Sequence, residues 1–269
     1  MKTNFIKLFA FLVLAGFTSC SSDDDSNSDP VDEITNYLPL SLGNYWTYDV
    51  TTEGLTNRDS LYSSNDTLIS GITHKKFKTL EVLPYGFYST SLKNNGLRVD
   101  GGTVKMSGTA SFDYGLGTPI AISISNFIIL KESSVAGEQL STVTGTFSQT
   151  VEGYPLDFTY TLKTVSDGQV PSFTSPNSDV YSNVIKTKVI LNLKITTTQS
   201  IGGFPVTVTV LSPQDVVTST QYYAEGIGMV HTNTNVSYQL QEFPGVTFPF
   251  PSSGSQTQQE FLDTYVIEE

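Results

Sequence analysis

The stretch "NVIKTKVILNLKITTTQ", Asn183 to Gln199, decides how this chain folds. Successive side chains of an extended backbone point to opposite faces, so residues two apart share a face. Read that way, Ile185, Val189, Leu191, Leu193 and Ile195 fall on one side, and Lys186, Lys188, Asn192 and Lys194 on the other. A helical period would scatter both sets around an axis. The stretch therefore predicts a long, half-buried strand. The same test on "GNYWTYDVTT" (Gly43 to Thr52) places Trp46, Tyr48 and Val50 on one face and Tyr45, Thr47 and Asp49 on the other. No segment sustains a helical period, and the tracts near Lys131 to Gln139 and Ser175 to Ser182 read as loops or single turns.

Working outward, "QTVEGYPLDFTY" (Gln149 to Tyr160) is echoed about fifty residues later by "QSIGGFPVTVTV" (Gln199 to Val210). Gly153, Tyr154 and Pro155 stand where Gly203, Phe204 and Pro205 stand, and "GTPIAIS" (Gly117 to Ser123) is a weaker third copy. Glycine permits a turn, and proline starts the outgoing strand where no ladder donor is needed. Hairpin chemistry recurring by convergence in a threonine-rich chain would give the same echo, and under either reading these segments are β-hairpins. Long antiparallel strands joined in sequence curl to hide their edges. The fold expected is all-β: a single antiparallel domain, a curved half-barrel or barrel of long hairpins, with a sandwich as the alternative.

At the start of the chain, Lys2 and Lys7 precede the apolar run Leu8 to Phe17, an export-signal pattern too short to span a bilayer. "FTSC" ends that run on Cys20, the one cysteine of the chain, and resembles the bacterial lipobox, with Phe17 where Leu, Val or Ile is usual. The resemblance implies that Cys20 becomes the first mature residue and carries acyl chains, each buried CH₂ adding about 0.8 kcal/mol of membrane affinity. Ser22, Asp23, Asp24 and Asp25 follow in an order similar to the acidic export signal of Bacteroidota lipoproteins, which implies display on the outer face of the outer membrane. A plain solvated spacer would need the same composition. The division expected is 1–19 signal peptide, 20–36 lipidated cysteine and disordered acidic tether, and 37–269 β domain.

Composition narrows the chemistry. The formal net charge is −12, and loss of Lys2 and Lys7 with the signal would make it −14. There is no basic stripe for phosphates, so no nucleic-acid partner is expected. With Cys20 acylated, no thiol is left for disulfides or thiolate metal sites. His74 and His231 are far apart in sequence, have no partner at metal-ligand spacing, and are expected at the surface or a sheet edge. No metal and no cofactor is expected. The chain has no Gly-x-Ser-x-Gly elbow, phosphate loop or dinucleotide fingerprint.

Two stretches, "YLPLSLGNYWTYDV" (Tyr37 to Val50) and "YYAEGIGMVHTNT" (Tyr222 to Thr234), resemble the opening and closing motifs of uncharacterised bacterial lipoproteins. The matching residues are Pro39, Leu40, Gly43, Asn44, Trp46 and Tyr48, then Tyr223, Ala224, Gly226, Ile227, Gly228 and Val230. That family carries no activity to transfer. Physically, Trp46 reads as a core anchor whose N–H finds a neighbour, and Gly226 and Gly228 as a bulge or bend in a curved sheet.

The remaining candidates are weaker. Asp113, Glu152, Asp157 and Glu225 are carboxylates of the kind a glycan hydrolase needs, but nothing in the sequence pairs them. Phe243, Phe248 and Phe250 lie among prolines in "EFPGVTFPFPSSG" (Glu242 to Gly254), where they could stack on sugars, cover an apolar cavity or plug the barrel end. "DSL" and "DTL" resemble a Bacteroidota O-glycosylation sequon at Ser60 and Thr67. The expectation is a non-catalytic binding or accessory module on the outer membrane, partnered with a glycan, a lipid or a surface protein. A half-barrel would be similar in architecture to lipoprotein-carrier and lipocalin-like lipid binders, which implies an apolar ligand. The alternatives are a structural or adhesive surface protein without a pocket and a carboxylate-dependent glycan hydrolase.

Overall fold

The computed structural model describes residues 36–112, 119–242 and 251–268. The first half of the chain forms β1 (Tyr45–Thr52), β2 (Leu55–Ile69), β3 (Ile72–Thr79), a short helix α1 (Phe87–Leu92), β4 (Gly96–Asp100), β5 (Thr103–Phe112) and β6 (Ile120–Lys131). The second half forms β7 (Gln139–Val151), β8 (Tyr154–Thr174), β9 (Val180–Ile201), β10 (Phe204–Ala224), β11 (Gly228–Gln239) and β12 (Ser253–Val266). All twelve strands join one antiparallel sheet in the order β6-β5-β4-β3-β2-β1-β12-β11-β10-β9-β8-β7. Starting from the β1–β12 pair, the chain meanders outward both ways, so the two edge strands, β6 and β7, are consecutive in sequence. Right-handed twist brings them round to make a nearly closed barrel, the expected fold rather than a sandwich. Side chains bridge the seam: the Ile128 N–H donates to Ser141 Oγ at 2.9 Å, and the Thr164 hydroxyl donates to the Ile128 carbonyl.

The faces follow the alternation. Ile185, Val189, Leu191, Leu193 and Ile195 are buried along β9, as are Trp46, Tyr48 and Val50 along β1, and all belong to one core. Lys186, Lys188 and Asn192 are partly exposed and Lys194 is exposed. The echoed segments are two copies of one device. Glu152 and Gly153 (φ 49° and 83°) and Gly202 and Gly203 (φ 62° and 85°) form two-residue turns with both central residues at positive φ, as a type I′ hairpin requires. The loops expected near Lys131 to Gln139 and Ser175 to Ser182 are the β6–β7 and β8–β9 connections, although β9 already begins at Val180.

The barrel has two distinct ends. Asn36 and Glu268 lie at what we term the terminal end, beside the β2–β3, β4–β5, β8–β9 and β10–β11 turns; the Gly226 N–H donates to the Asn36 carbonyl at 2.8 Å. The β1–β2, β7–β8 and β9–β10 turns and α1 lie at the opposite end. The two stretches Tyr37 to Val50 and Tyr222 to Thr234 meet at the terminal end. Trp46 Nε1–H donates to the Ile227 carbonyl at 2.7 Å and the Tyr48 hydroxyl to the Met229 carbonyl at 3.2 Å. Gly228 is small for a reason, since a Cβ there would lie 3.1 Å from Trp46 Nε1. Gly226 occupies the turn, and a register shift between Tyr222 and Tyr223 supplies the expected bulge.

Two expectations need correction. His74 and His231 are buried, at 2% and 4% exposure, not at the surface. Each is held by its Nδ1, at 2.9 Å from the Ile72 and Glu260 carbonyls respectively, and His231 is covered by Phe173, Tyr222 and Phe261. The helix α1 was not expected, because six residues are too few to show a period.

Candidate functional site

α1 begins where three side chains converge on four consecutive backbone N–H groups. Tyr85 and Gly86 donate to Asp59 Oδ1 and Oδ2 at 2.9 and 2.6 Å, Phe87 to Gln258 Oε1 at 2.7 Å, and Tyr88 to Glu260 Oε1 at 2.8 Å. Helix starts leave such donors unpaired, and Gly86, at the cap position, has no side chain to serve them. The acceptors come from β2 and β12 because both strands alternate. Asp59 stands in phase with Leu61, and Gln256, Gln258 and Glu260 stand in phase with Leu262. The same face that carries leucine into the core thus carries amides at the rim and an acid below it.

Asp59 and Glu260 are both fully buried, and no ion pair among the described residues involves either. Glu260 Oε1 also accepts the Thr232 hydroxyl at 3.0 Å, whereas Oε2 has no partner of ordinary hydrogen-bond geometry. A Cβ on Gly86 would overlap Glu260 Oε2 and come within 3.0 Å of Asp59 Oδ2, so both oxygens border the same small space. Burial pushes the Glu260 carboxyl up to about 7, against the pull of the Tyr88 N–H and the Thr232 hydroxyl. Asp59 is also raised, first by burial, while the Tyr85 and Gly86 N–H groups oppose the shift.

Over this clamp lies a groove of about 510 Å³, within the range of small-ligand sites. Tyr85, Phe87, Val236 and Tyr238 supply aromatic and aliphatic surface, and Gln256, Gln258, Thr90, Ser111, Thr234 and Ser255 supply amides and hydroxyls. Among the described residues, none of those lining it carries a charge. Tyr238 lies across Gly254, whose absent side chain leaves room for the ring. Gln258 ties wall to floor, since its Nε2 donates to the Tyr85 carbonyl at 3.0 Å and to Thr52 Oγ1 at 3.1 Å.

The barrel interior is different. An apolar cavity bounded by Tyr88, Leu92, Met106, Phe112, Phe127 and Leu162 has about 20 Å³, room for a single water. Fully buried Tyr88 of α1 meets the rings of Tyr48 and Tyr223 edge-on, at centroid distances of 6.0 and 6.1 Å. The cavity is too small for the apolar ligand implied by likeness to lipocalin-type barrels.

The residues singled out in the sequence fare unevenly. Cys20, Ser22, Asp23, Asp24, Asp25, Asp113, Phe243, Phe248 and Phe250 lie outside the described residues. Glu152 sits in the β7–β8 turn, Asp157 accepts the Ser148 hydroxyl on the outer face of β8, and Glu225 accepts from Asn183 at the terminal end. The structure does not bring these three together. Ser60 is 6% exposed and its Oγ accepts the Tyr45 hydroxyl at 3.1 Å, so a glycan there would have to displace Tyr45. Thr67 is partly exposed. Asp59 and Glu260 were missed, although an acid in phase with inward leucines was the visible signal.

No protein-family model matches the chain, and no curated protein matches it. Among solved structures, a "putative lipoprotein" from Parabacteroides distasonis is similar at 12% identity, covering 86% of this chain and 99% of that chain, with a TM-score of 0.38. That likeness is too low to transfer either fold or function.

Proposed function

We propose that this chain is an exported lipoprotein, held by acyl chains on Cys20 in the outer membrane and facing outward, whose β domain is a non-catalytic binding module for a neutral, hydroxyl-rich glycan. The single observation that carries the ligand class is the groove lining: aromatic rings beside amides and hydroxyls, with no charge among the described residues. Pyranose rings present apolar C–H faces and a rim of hydroxyls, and that combination matches both kinds of surface. A lipid tail would need an apolar chamber, and the apolar cavity among the described residues of the interior has room for a single water. The carboxylates that do approach one another, Asp59 and Glu260, are engaged with backbone N–H groups and separated from the groove by Gly86, which supports binding without hydrolysis. Anchoring rests on the lipobox resemblance around Cys20.

Isothermal titration with cellohexaose, maltohexaose, mannohexaose and xylohexaose tests the ligand class. At least one should bind, and Tyr85→Ala and Gln256→Ala should each weaken it about tenfold. Binding by none, or binding indifferent to both substitutions, overturns the groove as a glycan seat. Radiolabelled fatty acid should enter the wild type and not Cys20→Ala; equal labelling, or none in either, overturns the anchor.

A further inference from the structure

The Asp59–Glu260 pair has a geometry that binding alone does not require. Two acids from strands β2 and β12 border one buried space, and between them they accept the N–H groups of Tyr85, Gly86 and Tyr88. Tyr85 and Gly86 are also the wall of the groove. We propose that Asp59 and Glu260 form a proton-operated latch: with one proton held on the pair, the Tyr85–Tyr88 wall is locked in place, and when that proton leaves, the wall loosens. The inference rests on the groove reading only for its purpose, not for its chemistry.

The groups that face Glu260 explain why one proton matters. From β2 comes the Asp59 carboxyl, with Glu81 of the loop before α1 adding negative charge to Asp59 itself. From β1, α1 and β10 come Tyr48, Tyr88 and Tyr223, phenols whose own ionisation is pushed upward by burial first and then by the neighbouring acids or phenols, so they stay neutral. From β11 come the Thr232 hydroxyl and, on the Glu260 carbonyl rather than the carboxyl, His231, held below its usual range by burial. No Lys or Arg among the described residues forms an ion pair with either acid. A single negative charge on the pair is well served by the N–H donors. A second one has no cation to meet it, and beyond the Ser89 N–H, which also faces the carboxyl and favours its ionised form, Glu260 Oε2 has no donor of ordinary hydrogen-bond geometry, so ionisation favours entry of water beside Gly86. The Glu260 carboxyl, raised to about 7, sets the crossover near neutral pH.

The test is read on the backbone amides of Gly86 and Tyr88 by nuclear magnetic resonance and hydrogen exchange, in the folded domain with no ligand. In the wild type both amide shifts should titrate together near neutral pH, and their exchange protection should fall about tenfold from pH 6 to pH 8 once intrinsic rates are removed. Glu260→Gln keeps the Oε1 acceptor and removes the proton, so both readings should become flat. Asp59→Asn removes the neighbouring charge, so the midpoint should move to lower pH. Amides that do not titrate, or protection that changes equally in wild type and Glu260→Gln, overturns the latch even if Asp59→Asn fails to fold. Because no ligand enters the measurement, its failure leaves the glycan reading standing, and failed oligosaccharide titrations leave the latch standing.

Discussion

At the terminal end of the barrel, the polar side chains that support the core are neutral groups. Trp46 and Tyr48 reach across to the Ile227 and Met229 carbonyls, and Asn44 Oδ1 accepts the Glu268 N–H at 2.8 Å. At the groove end the corresponding atoms belong to acids, Asp59 and Glu260, which accept N–H groups from one short segment. Neutral pairs close the barrel at little cost, whereas burying carboxylates without a counter-ion opposes folding. The contrast separates a region built for closure from one whose position depends on charge state. It also shows why the motifs around Trp46 and Gly228 need not describe a site: the two hold each other.

The largest expected effect comes from filling the space at Gly86. Its φ of −76° suits any residue, so the cost of Gly86→Ala arises wholly from the Cβ overlapping Glu260 Oε2. Denaturant unfolding should show a loss of about 3–4 kcal/mol. Gly226→Ala at the terminal end meets open space and pays only for φ +71°, about 1 kcal/mol. Equal costs at the two ends would remove the case for a tight carboxylate pocket.

Next in size is the dependence of stability on pH. The unfolded chain releases the Glu260 proton near its ordinary value of 4.5, while the folded chain keeps it to about 7. Between those values the folded state binds more protons, so stability must fall as pH rises, by about 3 kcal/mol in all, and flatten on either side. Asp59, also raised, adds slope of the same sign. Glu260→Gln should remove most of that slope and leave the protein more stable than wild type at pH 8. Unchanged slope in the variant would place the titration elsewhere. Trp46→Phe tests the other end: it should cost about 2 kcal/mol through the orphaned Ile227 carbonyl and the lost volume, equally at pH 5 and pH 8.

How much of this was legible follows from the range of each signal. Alternation is local, so the faces of β1 and β9 could be read from the sequence, and the repeated glycine turns marked two hairpins correctly. The anchoring role of Trp46 and the bend at Gly226 and Gly228 were legible too, because few environments suit those residues. The clamp was not. Helix α1 is too short to carry a period, and nothing local couples β2 to β12, which meet only through the position of β1 between them. Asp59 was visible as an acid in phase with Leu61, but it also opens the "DSL" triplet, and that pattern drew attention to Ser60 instead. His231 was misjudged because its cover, Phe173 and Phe261, comes from strands distant in sequence.

The smallest effect is expected at the tip of the β9–β10 hairpin, which lies at the groove end but takes no part in the clamp. β9 and β10 run 22 and 21 residues, longer than the core needs, and Phe204 at the turn is 73% exposed. A ring that meets so little protein has little to lose, so Phe204→Ser should change unfolding free energy by no more than about 0.5 kcal/mol, with no change in the pH slope. Thermal melts at two protein concentrations provide the check. A clear drop in melting temperature that depends on concentration would mean that the tip packs against a second molecule, and the groove end would then have to be redrawn as a contact between chains rather than a free rim.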